Sequence, residues 1–192
     1  MIVSLQLRGQ KVLVVGSSKE ATTRAESLAD EGATVVQYSA HTQVQHDERI
    51  RLVQRERPTL RALFSARVVI ATDRNPKINS FLFRWKSVCG FLLNTLDEKE
   101  TCDFFHVSTR TPHRGITLAV STSGASPSFA KSLANRLADS ITASDVLVFE
   151  RIAQMRQAMM AQGQSSLCCD WLEMERKLRD QLAELKLSQR AS

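Results

Sequence analysis

The segment Lys11–Ala21, KVLVVGSSKEA, most constrains what this chain can fold into. Residues Val12–Gly16 form a short apolar run that ends on glycine, which is typical of a fully buried strand. Polar Ser17 and Ser18 follow, and Thr22–Gly32 then has the apolar spacing of a helix. A buried strand, a tight turn and a helix in this order begin a dinucleotide-binding βαβ unit. The segment therefore predicts a Rossmann-like domain.

The glycine fingerprint of such units, G-x-G-x-x-G/A, is only partly matched here. Gly16 supplies the first glycine and Ala21 the closing small residue, but Ser18 stands in place of the middle glycine. A glycine at that point lets a phosphate approach the backbone closely. A serine adds a Cβ that can crowd the phosphate and a hydroxyl that can donate to it. On this motif alone, cofactor binding and a purely structural strand–helix turn are equally supported.

Strand and helix patterns alternate at short spacing through the first half of the chain, which is typical of a parallel, doubly wound sheet in an α/β fold. The polar segment His41–Arg57 predicts a loop with one weak strand or helix. The other predicted elements are strands at Thr34–Tyr38, Arg67–Ala71 and Phe91–Asn94, and helices at Lys19–Glu31, Pro58–Ser65 and Lys77–Ser87.

The pattern changes near residue 110. Two strands, Phe104–Ser108 and Ile116–Ser121, are followed by a loop of small residues. In that loop Ser126 is predicted to cap the next helix, with Pro127 at its first position. Three helices are predicted to complete the chain: Ser128–Ser140, Thr142–Gln162 and Leu167–Leu187.

The chain is basic, with a formal net charge of +6, which suggests a polyanionic partner. Its basic residues are scattered and its aromatic content is 6%, so a polycarboxylate or phosphate ligand is favoured over nucleic acid. No apolar run approaches the roughly 20 residues needed to cross a bilayer, and no signal peptide is recognisable. We therefore expect a cytoplasmic protein without a membrane partner. The four cysteines show no metal-binding spacing, so reduced thiols are expected.

Open α/β sheets bind ligands beyond the carboxyl ends of their strands. The residues at those positions are Gly16–Glu20, Ser39–His41, Ala71–Asp73 and Asn94–Asp97. The second strand ends without an acidic residue, so the ribose contact would come from backbone or hydroxyl groups, and NAD and NADP both stay open. Asp97 follows a buried strand, where a carboxylate can act as a general base or simply be a solvated loop residue.

Several of these segments together resemble the N-terminal dehydrogenase/chelatase module of sirohaem synthase, which also stands alone as precorrin-2 dehydrogenase. The resemblance runs from LQLRGQKVLVVG through EGATVV, VVIATDRNPKIN and LLNTLDEKETCDFF to LAVSTSGASPSFAKSLANRL. It implies NAD-dependent oxidation of precorrin-2 to sirohydrochlorin and, in some members, insertion of ferrous iron (Fe²⁺) as a second step. It also implies a homodimer of chains with a Rossmann-like NAD-binding domain over residues 1–110, a dimerisation region over 111–145 and a small helical domain over 146–192.

The resemblance assigns roles to residues of this chain. Asp97 matches the family's catalytic aspartate, and no metal site is implied. The expected NAD-binding residues are Gly16, Ser17, Ser18, Lys19, Glu20, Ala40, His41, Thr72 and Asn94. The residues expected near the tetrapyrrole substrate are Ser121, Thr122, Ser123, Gly124 and Ser126.

The chain departs from the family pattern at two points. The family's G-G-G run is Gly16-Ser17-Ser18, and Val107 stands where a proline normally closes the DF-x-x-P motif. Three hypotheses follow. The first is a precorrin-2 dehydrogenase, with or without ferrochelatase activity. The second is a relative without NAD binding that acts as a chelatase only or as a tetrapyrrole-binding scaffold. The third is a Rossmann module that senses a nucleotide and regulates a partner.

Overall fold

The computed structural model describes residues 2–41, 47–96 and 98–190. The chain divides into two compact units, Met1–His106 and Val107–Ser192. The three-part division of the chain at residues 110 and 145 stays a prediction.

The first unit is a five-stranded parallel sheet flanked by helices on both faces, with strand order β3-β2-β1-β4-β5. The doubly wound sheet predicted from the sequence is confirmed. The weak element in the polar segment is a strand, β3, at the edge of the sheet. In chain order the elements are β1 Lys11–Val15, α1 Lys19–Asp30, β2 Thr34–Ser39, β3 Arg51–Gln54, α2 Leu60–Phe64, β4 Val68–Ala71, α3 Pro76–Cys89 and β5 Leu92–Asn94.

Two apolar cores lie on opposite faces of this sheet. Because side chains alternate along a strand, Leu13 and Val15 of β1 join the core with α2 and α3, whereas Val12 and Val14 join the core with α1. Burial on both faces explains why β1 is a continuous apolar run rather than an alternating one. Leu13 is fully buried, and burial of one such side chain contributes about 1.5–3 kcal/mol.

The second unit begins with an antiparallel hairpin of β6, Ser108–His113, and β7, Ile116–Val120. Helix α4, Pro127–Asp139, packs against both strands, and α5, Ala143–Ala161, packs against α6, Trp171–Arg190. The predicted cap of α4 is confirmed, because the Phe129 amide donates to Ser126 Oγ at 3.3 Å and Pro127 is the first helical residue.

Two predicted boundaries in this half of the chain are wrong. The strand predicted at Phe104–Ser108 begins only at Ser108. Before that point the Asn94 amide group donates to the Phe104 carbonyl at 2.7 Å, which holds this apolar segment against the first unit's own sheet. The last helix begins at Trp171 rather than Leu167, because the Glu173 amide donates to Asp170 Oδ1 at 3.0 Å and that carboxylate caps the helix.

Over the described ranges, no helix is both long and apolar enough to span a bilayer.

Candidate cofactor-binding site

A cleft of about 120 Å³ opens at the carboxyl ends of β1, β2 and β4. Helices that follow β1 and β4 pack on opposite faces of the sheet, so the cleft lies where the winding reverses. Open α/β sheets bind their ligands at such a point. The cleft is lined by Val15, Gly16, Ser17, Tyr38, Ala40, His41, Glu56, Ala71, Asp73, Asn75, Ile78 and Asn79.

The turn after β1 requires glycine for a steric reason. A Cβ added to Gly16 would overlap the Thr72 hydroxyl and lie 2.7 Å from Asp73 Oδ1. The Gly16 amide donates to the Tyr38 carbonyl at 2.9 Å, and the buried Gln37 side chain donates to the Gly16 carbonyl at 3.1 Å. The first glycine of the fingerprint is therefore fixed between β2 and β4.

Ser17 connects the turn to two neighbouring strands. Its amide donates to Asp73 Oδ2 at 2.8 Å, and its hydroxyl accepts from the Ala40 amide at 3.1 Å. Ser39 donates from its hydroxyl to the His41 carbonyl at 2.6 Å, which closes the end of β2 beside it. The structure thus brings together the predicted residues that follow β1 and β2.

Ser18 caps α1 in an ordinary extended conformation, with φ −79° and ψ 164°. Any residue can adopt these backbone angles, so this position does not require glycine. The Ala21 amide donates to the Ser18 hydroxyl at 3.4 Å. In the part of the chain that the structure describes, the amides of Lys19 and Glu20 have no acceptor. Free amides in the first turn of a helix are the usual ligands of a dinucleotide pyrophosphate, and this arrangement fits one.

The negative charge of Glu20 at the start of α1 is balanced by two arginines of the same chain. The Glu20 carboxylate lies 3.6 Å from an Arg74 guanidinium nitrogen and 3.8 Å from one of Arg24. These pairs offset the negative charge of Glu20 near the place where an anionic ligand would bind.

Of the predicted cofactor-binding residues, five lie outside the lining of the cleft: Ser18, Lys19 and Glu20 at the start of α1, and Thr72 and Asn94. Thr72 is 1% exposed behind Gly16, and its hydroxyl is 3.3 Å from Asp73 Oδ1, to which it donates. The Asn94 side chain donates to the Phe104 carbonyl and accepts from the Leu96 amide at 3.1 Å. Both side chains therefore hold neighbouring segments in place, and their contact with a cofactor stays a prediction.

Sequence reasoning did not assign Glu56 or the two asparagines of α3 to the cleft. Asn75 caps α3, and Asn79 follows it by one helical turn, so an i, i+4 pattern of amides was the available signal. Asn79 donates from Nδ2 to Glu98 Oε1 at 2.8 Å, while its buried Oδ1 has no partner among the described residues. A buried acceptor without a partner at a cleft is a point where a ligand donor would be stabilised.

Asp97, the predicted catalytic residue, lies outside the described residues. The predicted substrate loop lies in the second unit and bonds to itself. The Ser126 amide donates to Thr122 Oγ1 at 3.2 Å, and the Ser123 amide donates to Ser121 Oγ at 3.2 Å. These contacts satisfy the role of a helix cap, which the sequence also predicts, and substrate binding by Ser121, Thr122, Ser123, Gly124 and Ser126 stays a prediction.

Metal-ligating side chains do not converge within the described ranges, where no three His, Cys, Asp or Glu residues are grouped to hold an ion. The cysteines Cys89, Cys102, Cys168 and Cys169 are free thiols.

Residues 3–108 match a family model described as "Putative NAD(P)-binding". A "Siroheme synthase" from Nitrosococcus oceani is 30% identical over 141 residues, which cover 70% of this chain and 30% of that relative. The chain thus spans less than a third of the length of the curated relative it matches.

A solved structure, "SirC, precorrin-2 dehydrogenase", superposes with a TM-score of 0.65 and 19% identity, over 96% of this chain and 99% of that one. This likeness shows a shared fold. The family model spans more than half of this chain. The chain belongs to the NAD(P)-binding family of the sirohaem synthase N-terminal module and precorrin-2 dehydrogenase.

Proposed function

We propose that this protein is a precorrin-2 dehydrogenase, which oxidises precorrin-2 to sirohydrochlorin with NAD in sirohaem biosynthesis. The observation that carries the proposal is the cleft at the switch point of the sheet. There Gly16 and Ser17 line the cleft together with Ala40 and His41 at the end of β2, and the free amides of Lys19 and Glu20 follow in the first turn of α1. The family membership and the fold shared with a dehydrogenase support the same reaction.

Residues on two sides of the cleft would bind different parts of the cofactor. The amides at the start of α1 would bind the pyrophosphate, and the backbone of Ala40 and His41 at the end of β2 would lie along the adenosine ribose. The nicotinamide half would then lie toward β4 and α3, where Asn79 carries its unpartnered acceptor. When bound, the nicotinamide accepts the hydride that leaves the macrocycle.

The proton that leaves with this hydride needs an acceptor, and we assign that role to Asp97. The assignment is supported by its place in the sequence, three residues after the end of β5, and by its match to the family's catalytic aspartate. The substrate carries many carboxylate arms, so the net charge of +6 favours its approach to this protein. We also propose that two chains form a homodimer, as the family resemblance implies.

A second candidate function follows from Ser18, which replaces the middle glycine of the fingerprint. If the serine Cβ excludes the pyrophosphate, the chain would retain only iron insertion into sirohydrochlorin or tetrapyrrole binding without turnover. In the chelatase reaction ferrous iron is a substrate, and Asp97 would accept the pyrrole protons that it displaces.

One assay separates these two functions. Purified protein is mixed with precorrin-2 and NAD, and sirohydrochlorin and NADH are followed by absorbance. The dehydrogenase should form both in equal amounts, and Asp97→Asn should abolish turnover while NAD still binds in calorimetry. Glu100→Gln, at an exposed carboxylate three positions further along the chain, serves as the matched change and should retain turnover. The proposal fails if saturating NAD supports no oxidation; a parallel reaction with sirohydrochlorin and ferrous iron then tests the chelatase alone.

A further inference from the structure

A second, larger groove of about 490 Å³ lies over β2 and β3 on the face that carries α2. Its floor is formed by side chains of Val36, Tyr38 and Val53, and α2 forms one wall. Helix α2 has only five residues, so this part of the sheet lacks the cover that α3 gives to β4. Tyr38 also lines the cofactor cleft, but the rest of the groove does not.

The rim of this groove is positively charged on two sides. Arg51 and Arg55 flank β3, the edge strand, while Lys11 begins β1 on the other side of β2 and Arg61 lies on α2. No carboxylate is part of the lining. The cations are therefore separated by the apolar floor rather than gathered at one end of it.

Within the described residues, the three arginines of this rim make no ion pair. Lys11 donates from Nζ to the neutral Ser65 hydroxyl at 2.8 Å. Some other arginines of the chain do make ion pairs, for example Arg49, which lies 2.9 Å from Asp30, and Arg179, which lies 2.6 Å from Asp145. Positive charges that lie near one another without a counterion partner repel each other in the free protein. An anionic ligand bound among them would offset this repulsion.

The positive charge of the rim reaches the floor of the groove. Burial raises the pKa of the Tyr38 hydroxyl, and the charges of Arg51 and Arg55 act in the opposite direction. A ligand lying on this floor would therefore experience the field of both arginines.

We propose that this groove is a second tetrapyrrole site, which holds the carboxylate-bearing macrocycle outside the cofactor cleft. The inference rests on the proposed function for its ligand class. A flat apolar macrocycle suits a floor of valine and tyrosine side chains, and its peripheral carboxylates would meet cations on both sides. Lys11 and Arg51 stand on strands separated by β2, a distance of about 10 Å between strand axes. A nucleotide carries its phosphates at one end and would engage only one side of the rim.

Arginine is suited to this role because its planar guanidinium binds a carboxylate through two parallel hydrogen bonds. The groove would retain the substrate or the product near the cleft without occupying the position of the nicotinamide. Tyr38 would lie at the boundary between the two sites, since it lines both.

The test uses uroporphyrin, a fluorescent porphyrin with carboxylates around its perimeter, and the full chain. The double variant R51E/R55E reverses the β3 side of the rim, and R151E/R176E makes the same change in net charge on exposed arginines of the second unit. Binding is measured by calorimetry and fluorescence anisotropy, with ATP as the nucleotide arm. Since all four arginines are exposed, circular dichroism should show that both double variants are folded. The variant R51Q/R55Q removes the two positive charges without introducing negative ones and so provides a milder change.

In R51E/R55E the number of uroporphyrins bound per chain should fall by one. If the unmodified chain binds only one uroporphyrin, the Kd of that site should rise at least about tenfold in this variant, because charge-assisted hydrogen bonds to the carboxylates are lost. R151E/R176E should bind like the unmodified chain. Equal binding by both double variants, or a groove that binds ATP but not uroporphyrin, would overturn the inference. NAD binding and precorrin-2 oxidation are scored separately, so failure of the dehydrogenase assignment is distinguished from failure of the second site.

Discussion

Replacing Gly16 by alanine should destabilise the first unit, because the space for a Cβ is already filled. The added carbon would overlap Thr72 Oγ1, lie 2.7 Å from Asp73 Oδ1 and lie 3.2 Å from Ala21 Cβ. Thr72 cannot easily move away, since its amide donates to the Val15 carbonyl at 2.9 Å inside the sheet. Overpacking of this kind costs about 1–3 kcal/mol.

The loss can be measured by urea unfolding followed through Trp85, which packs against the core of α2 and α3. The only other tryptophan, Trp171, is replaced by phenylalanine in every variant so that the signal reports the first unit. Gly90→Ala is the matched control: Gly90 has φ 78° with nothing within 4 Å of the added Cβ, so it measures backbone strain without a clash.

The second substitution Thr72→Ala identifies the atom responsible. It should recover about 1 kcal/mol or more of the stability lost in Gly16→Ala, because it removes the oxygen that the new Cβ overlaps. The same change should recover nothing in Gly90→Ala. If the free energies of Gly16→Ala and Thr72→Ala add to within about 0.5 kcal/mol, the two sites are independent and the steric explanation is refuted.

Three further predictions concern the cleft and the helical unit. Ser18→Gly should lower the Kd for NAD in calorimetry if the serine Cβ crowds the pyrophosphate, and an unchanged Kd would contradict crowding. Asn79→Leu should raise the Kd for NAD about tenfold while leaving that for ADP-ribose unchanged, because a buried acceptor for the carboxamide is lost; equal losses for both ligands would refute this. Hydrogen bonds from Thr142 and then Arg179 hold the pKa of Asp145 below its usual range, so its contribution to stability is full above the unfolded pKa of about 4 and is lost as pH falls below it. Asp145→Asn should therefore flatten the acid limb of thermal unfolding, and an unchanged acid limb would show that this carboxylate does not contribute.

Local signals predicted the fold well where the physical cause is local. From Val12 to Val15, β1 is apolar at every position because both faces of the strand are buried. The cap of α4 needs only Ser126 and Pro127, which are adjacent in the sequence. Such patterns are visible without knowledge of the tertiary structure, and the elements they predict are present.

The site depends on contacts between distant parts of the chain, which no local pattern contains. Asp73 enters the cleft through its bond to the Ser17 amide, 56 positions away. Asn79 is a candidate ligand-binding residue because its Nδ2 donates to Glu98 Oε1, whereas its buried Oδ1 has no partner among the residues that the structure describes. The misplaced strand near Phe104 has the same origin, since an apolar segment adopts an irregular path once Asn94 bonds to its backbone.

The structure limits the effects that Ser18, the serine in the glycine fingerprint, can have on cofactor binding. In a turn that needed a left-handed residue, replacing glycine would strain the backbone, but Ser18 has φ −79° and supplies the cap of α1. The pyrophosphate would be bound by amides further along the helix, and those of Lys19 and Glu20 are present without acceptors among the described residues. The substitution therefore leaves the fold and the amide donors intact, and its effect on a bound pyrophosphate comes from one Cβ and one hydroxyl. Comparing the NAD affinity of the unmodified chain with that of Ser18→Gly measures the combined effect of these two groups.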